Sequence, residues 1–362
     1  MVGGDIIFNV YDIKNILQNG VNDFNEVTLP DVYYMPEFIK LCEISGAGKG
    51  KMAIFKSESS LWIYPFLKQN IGRGVDFIEK DFMGNDIFSP YGYSGPINLK
   101  RKRENDRENF KEFRSLLKNY FEDKVIISEF IRFHPLLQTH KYFNKDDLKK
   151  TGKVVYFDLT KSKECLEEDM DNSTQRNIKK AKRNNLDLNF DFDLSTLGLF
   201  RTIYKKTMDR VNADSSYYFS EEYFTYLRKG LDENSFIVNV NKGSKTIASA
   251  LFFFNDEIIQ YHLGGSLSDY LKFRPNDLLF YEVAMWGKDN NYKYFNLGGG
   301  VGGKEDSLFR FKKSFSENTA SFYTGRKIIN KDRYEYLKNK WLNEYNYSST
   351  EDIDYFPIYR KR

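Results

Sequence analysis

Apolar residues in the first half of the chain follow helical and strand spacings in turn. They predict a helix over 36–44, a hairpin over 52–67, an amphipathic helix over 104–121 and a strand over 125–133. The hairpin is indicated by two apolar runs on either side of a polar turn. A helix, a hairpin, a helix and a strand in this order indicate one α/β domain.

The second half has a similar order of apolar patterns, which is most regular in its central hairpins. Its predicted elements are a strand over 154–159, a helix over 172–183, a strand over 186–192, helices over 197–209 and 221–231, strands over 236–240, 246–254 and 257–263, a helix over 276–287, a strand over 294–297 and a further pair of strands near 320–329. The order predicts an α/β (α+β) fold in which each half has a mixed, largely antiparallel sheet flanked by helices. We expect domains over 1–150 and 151–330, and a helical or irregular extension over 331–362.

Composition narrows the class of protein. The chain has 362 residues, a length greater than one hydrophobic core usually supports, and 41% of them are apolar. A net charge of +4 is too small to indicate a nucleic-acid wrapping surface. Two cysteines exclude a disulfide framework and a cysteine-rich zinc site, so we expect no metal. Without an apolar run of about 20 residues, no membrane span is predicted, and we expect a cytoplasmic protein.

One predicted helix carries a basic stripe. Arg176, Lys179, Lys180 and Arg183 recur at helical spacing, so their side chains share one face, while Ile178 lies on the other. Like charges this close destabilise a helix, and a bound phosphate would remove that cost. The sequence therefore predicts a substrate-binding surface, although a solvated basic face explains the same pattern.

A strand that ends in paired glycines is the second candidate. In Tyr261-His-Leu-Gly264-Gly265, the glycines leave backbone N–H groups open to a ligand, and such groups can stabilise an oxyanion. His262 is a candidate general base or hydrogen-bond donor. Gly264 is assigned to catalysis, and Tyr261 and Gly265 to substrate binding. A structural histidine is the competing interpretation.

Two segments near the C-terminal end of the second half complete the candidate site. Asn296 precedes a run of glycines up to Gly303, which we interpret as a flexible loop beside the active site. In the helix that follows, Leu308, Phe311 and Phe315 are expected to face inward, leaving Arg310, Lys312 and Lys313 for anionic ligands. Asp306 is the alternative to His262 for positioning or deprotonating an amine. Asn296, Arg310 and Lys312 are assigned to substrate binding.

In the first half, Tyr91 and Tyr93 are the substrate-binding candidates. They lie in the segment Ser89-Pro-Tyr-Gly-Tyr-Ser-Gly-Pro96, in which glycine and proline imply tight turns. Glycines beside aromatic residues also allow a backbone to approach a ligand closely.

Taken in order along the chain, several short segments resemble the Fem-type (FemABX) branch of the GNAT superfamily. These segments are Pro90–Pro96, Arg132–Pro135, Arg176–Ala181, Tyr261–Gly265, Pro275–Leu279, Phe295–Gly300 and Asp306–Phe315. The resemblance implies two tandem GNAT domains and transfer of an acyl or aminoacyl group to an amine. The implied donor is aminoacyl-tRNA or acyl-CoA, with no tightly bound cofactor. The implied acceptor is a nucleotide-linked or glycan precursor, such as a peptidoglycan stem peptide.

The sequence leaves two other functions open. One is an acyl-CoA-dependent sugar N-acetyltransferase in surface polysaccharide synthesis. The other is a non-catalytic protein that binds a nucleotide-linked ligand or tRNA. Two departures from the resemblance leave the donor undecided. The second half has no long helical-hairpin arm of the kind that some tRNA-using members carry, and no [QR]-x-x-G-x-[GA] loop for the pyrophosphate of CoA.

Overall fold

The computed structural model describes residues 6–21, 27–100 and 105–362. The chain forms two compact units, each assembled from separate stretches of sequence. Unit 1 takes the described residues up to Thr28, those from Tyr33 to Thr151, and those from Phe322 to Arg362. Unit 2 consists of Leu29–Val32 and Gly152–Ser321. All α-helices and strands named below refer to this part of the chain.

The strands are β1 (Ile7–Asp12), β2 (Lys49–Lys56), β3 (Leu61–Asn70), β4 (Asn85–Phe88), β5 (Ile97–Asn98), β6 (Ile126–Arg132), β7 (Leu148–Asp158), β8 (Leu186–Asp191), β9 (Ser235–Lys242), β10 (Lys245–Asn255), β11 (Ile258–Ser266), β12 (Tyr294–Gly298) and β13 (Thr319–Ile328). The α-helices are α1 (Ile13–Asn19), α2 (Pro36–Ile44), α3 (Asp106–Asp123), α4 (Lys163–Glu168), α5 (Asn172–Arg183), α6 (Leu197–Arg210), α7 (Glu221–Gly230), α8 (Pro275–Asp289), α9 (Ser307–Lys313) and α10 (Lys331–Glu344).

In unit 1 the sheet order is β1-β2-β3-β4-β6-β13, and β5 pairs with β3. The neighbours are antiparallel except for β4 and β6, which run parallel. The apolar stripe of α3, including Phe113 and Leu117, packs against Phe55 of β2 and Trp62 of β3 on one face of this sheet. The amphipathic pattern of α3 thus supplies a core for this unit. Residue 104, the predicted first residue of this helix, lies outside the described residues.

Residues 331–362 pack within unit 1. Three side chains of α10 are buried against a small second core of that unit, namely Tyr334, Leu337 and Trp341. Tyr359 and Arg360, near the C-terminus, both hydrogen-bond the buried Asp86 of β4. The segment that the sequence analysis set apart as an extension therefore contributes buried aromatic residues to this unit.

Unit 2 contains the sheet order β7-β12-β11-β10-β9-β8. All neighbours are antiparallel except β11 and β12, which are parallel. Helices α5 and α8 cover one face, and α6 and α7 cover the other. Coverage of both faces explains why the central strand β10 is buried without interruption from Ile247 to Phe253.

The predicted elements of the second half agree with the structure except at its end. The predicted helix over 172–183 has the bounds of α5. The predicted pair of strands near 320–329 is wrong, because this stretch forms the single ten-residue strand β13. Gly325 lies inside the strand, where a β-carbon would come within 3.0 Å of the Phe133 ring. Here glycine marks a close approach of side chain to backbone and not a turn.

Candidate functional site

Strands β11 and β12 of unit 2 separate partway along their length. Their parallel pairing joins Ile258–Gln260 of β11 to Tyr294–Asn296 of β12. Among the described residues it includes no later residue of β11. On its other side β11 stays paired with β10 as far as Ser266. Among the described residues, the ladder between β11 and β12 therefore ends at Gln260, whereas the ladder with β10 continues. Where neighbouring strands separate, backbone groups at the edge of a sheet can form hydrogen bonds with a ligand.

A β-bulge decides which side chains face this opening. Along the β10–β11 pair, Leu251 pairs with Leu263 but Phe252 pairs with Tyr261, so His262 is an extra residue. An extra residue shifts the alternation of the side chains that follow it. As a result, Gly264 lies on the same face as Tyr261, since a β-carbon there would come within 2.4 Å of the Tyr261 hydroxyl.

His262 lies on the opposite face of the sheet. Its Nε2 is 2.8 Å from the Tyr223 hydroxyl of α7, and its ring contacts Phe253. Tyr261, by contrast, packs edge-on against Phe280 of α8. Burial lowers the pKa of His262 to about 3, so the imidazole is neutral at pH 7. The structure does not bring His262 together with Gly264 or Tyr261 in the way that the general-base prediction requires.

The amine of Lys312 lies where β11 and β12 separate. Its Nζ donates a hydrogen bond of 2.7 Å to the carbonyl oxygen of Gly299, directly after β12. The same Nζ is 5.7 Å from the centre of the Tyr261 ring, on the first residue of β11 beyond the pairing. Only 6% of Lys312 is exposed. Burial lowers the pKa of this amine to about 8, and the nearby Asp306 carboxylate opposes the shift.

In this helix the apolar spacing predicts an accessible Lys312 and an inward-facing Leu308, and the structure differs at both positions. Leu308 is 40% exposed, whereas Phe309 is buried, so the prediction that Leu308 faces the core is wrong. Phe311 is partly buried and Phe315 fully buried, as predicted. Lys312 follows Phe309 by three residues and therefore shares its buried face. That spacing is the signal that would have identified the buried lysine.

Asp306 holds the glycine-rich loop against the start of α9. Its Oδ1 accepts the Phe309 N–H at 2.9 Å, which caps the helix, and its Oδ2 accepts the Val301 N–H at 3.0 Å. The hydrogen bond from the Phe309 N–H is the largest influence on this carboxyl and lowers its pKa. A carboxylate with a lowered pKa and two backbone donors is a poor proton acceptor. The hydrogen bond from Val301 indicates that Asp306 fixes the glycine-rich loop.

Asn296 is part of a buried polar network. Its Nδ2 donates to the Gln260 side-chain oxygen at 2.8 Å, and its Oδ1 accepts the Gly298 N–H at 2.9 Å. Gln260 in turn donates to the carboxylate of Asp31 at 2.7 Å. The side chains of Asp31, Gln260 and Asn296 are almost fully buried. Both polar groups of the Asn296 amide are therefore used inside the protein, and sequence reasoning missed Asp31 and Gln260.

The basic stripe of α5 is exposed as predicted. Thr174, Ile178 and Ala181 face the core, and Arg176, Lys179 and Lys180 face outward. No described carboxylate lies within ion-pair distance of these three cations, whereas the adjacent Lys182 pairs with Glu282 at 2.9 Å. A cationic surface without internal counterions is available to an anionic ligand.

Hydrogen bonds link this helix to the end of β11. Asn177 of α5 donates to Asp277 in the first turn of α8 at 2.9 Å. The preceding residue, Asn276, accepts from the Ser266 hydroxyl at the end of β11 at 2.7 Å. Lys180 lies one helical turn after Asn177 and on its side of the helix. The N-terminus of α8 thus connects the basic stripe to the strand that borders the opening.

The remaining candidates differ in their surroundings. Arg310 is exposed, and its Nη1 donates to the Glu305 carbonyl oxygen at 3.1 Å. Gly265 packs against α6, where a β-carbon would come within 2.8 Å of the Ile203 carbonyl oxygen. Tyr91 and Tyr93 belong to unit 1. Tyr91 is 43% exposed, and Tyr93 makes edge contacts with His134 and Phe322.

The described part of the chain contains no group of three or more His, Cys, Asp or Glu residues that could hold a metal ion. Within the same ranges, none of the helices has both the length and the apolar character needed to cross a bilayer.

Comparison with known proteins places this geometry in a known fold. Residues 171–313, all within unit 2, match the family model described as an acetyltransferase (GNAT) domain. Among curated proteins, no sequence matches the chain significantly. Unit 2 therefore has a sequence-level relationship to GNAT acetyltransferase domains, although the match spans less than half of the chain.

Solved structures resemble a larger part of the chain. FemX is similar with a TM-score of 0.65 at 11% identity, over 86% of this chain and 96% of that one. A conserved protein of unknown function from Bacteroides thetaiotaomicron gives 0.53 at 9% identity, over 89% and 99%. The C-terminal domain of a proposed lysylphosphatidylglycerol synthetase from Agrobacterium fabrum gives 0.51 at 14% identity, over 86% and 92%. These likenesses concern the fold. They confirm the predicted α/β fold class, and the family match of residues 171–313 supports an acyltransferase.

Proposed function

We propose that this protein is a Fem-like acyltransferase that transfers an aminoacyl or acyl group to an amine of a cell-envelope precursor. The acceptor would be a peptidoglycan stem peptide or a nucleotide-linked sugar. The observation that carries the proposal is the opening between β11 and β12 with the buried amine of Lys312 in it. The GNAT family match of unit 2 and the likeness to FemX support it.

The reaction that suits this opening is direct attack of an amine on an activated carbonyl. The acceptor nitrogen forms a bond to the carbonyl carbon, and the carbonyl oxygen becomes an oxyanion. Collapse of this intermediate breaks the C–S bond of an acyl-CoA or the C–O ester bond of an aminoacyl-tRNA. The acceptor amine releases one proton to water. Backbone N–H groups near Gly264 and the positive charge of Lys312 are suited to stabilise the oxyanion.

Neither predicted proton acceptor suits the chemistry at this opening. His262 is neutral, but it lies on the other face of the sheet. The carboxylate of Asp306 has a lowered pKa and accepts two backbone N–H groups. In this proposal the acceptor amine therefore enters unprotonated, and Lys312 contributes charge. With its pKa at about 8, Lys312 is mostly protonated at neutral pH, and its positive charge is lost as pH rises through that value.

The basic stripe of α5 provides the recognition of phosphate in this proposal. Arg176, Lys179 and Lys180 are exposed and have no described carboxylate partner. A diphosphate on the acceptor or donor offers several oxygens to such cations, and arginine can bind them in pairs. The hydrogen bonds through Asn177 and Asn276 hold this helix beside the end of β11.

A second candidate is an acyl-CoA-dependent sugar N-acetyltransferase. The observation that favours it is the family match itself, whose description is an acetyltransferase domain. The two candidates share the acyl transfer step and differ in donor and acceptor.

Intact mass measurement of acceptors tests both candidates. The full chain would be incubated with acetyl-CoA or with charged tRNA, together with a UDP-linked muramyl peptide or a UDP-linked amino sugar. We expect a mass increment of one acyl or aminoacyl group from one donor, and its loss in Lys312→Met but not in Lys313→Met. Absence of any increment with either donor would contradict both candidates and favour a binding protein.

The salt dependence of binding separates the donors. Binding of tRNA releases counterions, so fluorescence anisotropy with labelled charged tRNA should weaken steeply between low and moderate salt. Saturable binding of acetyl-CoA without micromolar tRNA binding at low salt would favour the N-acetyltransferase.

A further inference from the structure

A pocket of about 360 Å³ lies in the helical layer that α6 and α7 form over one face of the unit 2 sheet. Its lining comes from α6, α7 and the loop that joins β8 to α6. None of the lining residues belongs to the basic stripe of α5 or to the opening between β11 and β12. Pockets that hold small organic ligands have volumes of about 300–1,000 Å³. The size of this pocket therefore suits a small molecule, and the proposed function does not use it.

The pocket is apolar in its inner part and charged at its edge. Three buried apolar side chains line the inner part, namely Leu194, Leu197 and Phe224. The charged lining residues, which all reach solvent, are Arg201, Arg228, Lys229 and Glu221. A ligand that matches this lining has an apolar body, which gains free energy when it leaves water, and a charged group at one end.

The charges at the edge of the pocket favour an anion. Arg201 already has a partner, because its Nη1 donates to the Glu221 carboxylate at 2.7 Å. Its guanidinium also lies 4.8 Å from the centre of the Phe224 ring, which holds it in place. Among the described residues, no carboxylate lies within ion-pair distance of Arg228 or Lys229. Two cations of α7 are therefore available to a ligand, and arginine binds carboxylates through paired hydrogen bonds.

The loop on one side of the pocket is held in place by the sheet. The carboxylate of Asp191, at the end of β8, accepts the Ser195 N–H at 3.1 Å and the Thr196 N–H at 2.7 Å. Asn239 of β9 donates to the Thr196 hydroxyl oxygen at 2.8 Å. Within this loop Leu194 is held at a φ of 51°, a left-handed conformation that leucine rarely adopts. The pocket wall is therefore formed before a ligand binds, which reduces the entropy cost of binding.

Gly198 of α6 leaves space at the wall of the pocket. It is exposed, and a β-carbon there would have no neighbouring atom within 4 Å. Glycine is among the least favourable residues in a helix, and here neither a close approach nor a positive φ requires it. Packing among the described residues thus does not explain this glycine. What it provides is room at the pocket, which a larger side chain would occupy.

We propose that this pocket binds a small organic carboxylate with an apolar body, which packs on Leu197 and Phe224 while its carboxylate contacts Arg228 and Lys229. Complementary charge selects an anion over a neutral molecule of the same shape. The buried apolar lining selects against phosphate and other ions that have no apolar body, because they would leave the inner part of the pocket unfilled. The site goes beyond the proposed function and does not rest on it.

Isothermal titration of the full chain tests the site with three probes that separate the ring from the charge. They are naphthoate, the neutral naphthalenemethanol and acetate. We expect naphthoate to bind saturably and at least tenfold more tightly than either of the others. Gly198→Leu should fill the pocket and weaken naphthoate at least tenfold without lowering Tm, since leucine has the higher helix propensity. Replacing both Arg228 and Lys229 with glutamine should weaken naphthoate several-fold. Lys206→Gln removes an exposed charge of α6 outside the pocket and should change nothing.

Failure of naphthoate to bind at millimolar concentration would overturn the site, as would an unchanged affinity in a folded Gly198→Leu. Equal binding of naphthalenemethanol would contradict an anionic ligand, and equal binding of acetate would contradict an apolar body. If Gly198→Leu unfolds the protein, the double variant of Arg228 and Lys229 decides, because both residues are exposed, and an unchanged affinity there would refute the proposal. Binding is measured without acyl donor or acceptor, so a failure of the proposed function leaves this test unaffected.

Discussion

The buried amine of Lys312 leads to a test in which stability and activity move in opposite directions. The perturbation is Lys312→Met, which keeps the length of the side chain and removes its charge. The pKa of this amine falls from 10.5 to about 8 in the folded protein. Since each tenfold change in an acid constant corresponds to about 1.4 kcal/mol, burial of the ammonium costs about 3 kcal/mol of unfolding free energy at neutral pH.

The substitution also loses favourable contacts. The hydrogen bond from Lys312 to the Gly299 carbonyl oxygen contributes on the order of 1–2 kcal/mol. We therefore expect Lys312→Met to raise the free energy of unfolding by about 1–2 kcal/mol at pH 7. The sign follows because the folded protein binds this proton more weakly than the unfolded chain does, so the wild type loses stability as pH falls from 10.5 towards 8.

Urea unfolding of both proteins at pH 7 and pH 9.5 measures this effect. The free energy of unfolding of Lys312→Met relative to wild type should fall by about 2 kcal/mol at the higher pH, which removes or reverses the advantage, because the wild-type amine is then deprotonated in the folded protein. Lys313→Met is the matched control, and its difference from wild type should be the same at both values. A less stable Lys312→Met at pH 7, or a difference that does not change with pH, would refute the reasoning. A stabilised protein without acyl transfer would show that this lysine is kept for function.

Two further predictions concern the strand end and the basic helix. Gly264→Ala places a methyl group against the Tyr261 hydroxyl, so it should lower kcat at least tenfold with a small change in Tm. Adding Tyr261→Phe to this variant should restore part of the activity. Equal losses of folded protein and activity would indicate a structural role. The double variant Arg176→Gln and Lys180→Gln should raise KM for the phosphate-bearing substrate about tenfold, a loss of about 1.4 kcal/mol, whereas Lys182→Gln should not. Unchanged KM in the double variant would assign the stripe to solvent.

The elements with long, regular apolar patterns could be predicted from sequence, as α5 shows. Ile178 and Ala181 lie on one face of this helix and the cations on the other, so the spacing alone gives both its bounds and its exposed surface. Its connection to β11 could not be predicted, because the hydrogen bond between Asn177 and Asp277 joins residues 100 positions apart. Sequence spacing carries no information on such a contact.

The candidate site could be predicted in part from the sequence. What could not be predicted is the register of pairing between β10 and β11. The segment from Tyr261 to Gly265 was identified from its glycines, and simple alternation would put Gly264 on the face of His262. The bulge reverses this, because pairing with β10 skips His262. A bulge depends on how two strands fit together and leaves no periodic signal in one of them. The prediction that His262 is a base requires its side chain to share a face with Gly264, and the bulge puts the two residues on opposite faces.

The position of the opening follows from the polar network beside it. Asn296 and Gln260 hydrogen-bond each other at the last paired position of β11 and β12. Asp31, much earlier in the chain, accepts a further hydrogen bond from Gln260. These buried groups must stay paired with each other, since separating them would leave polar atoms without partners. The strands are therefore held together as far as Gln260. The bulge comes two residues later. The Lys312 amine, 5.7 Å from the centre of the Tyr261 ring, and Gly264, whose β-carbon would meet the Tyr261 hydroxyl, therefore both lie beside Tyr261, directly beyond the last pair.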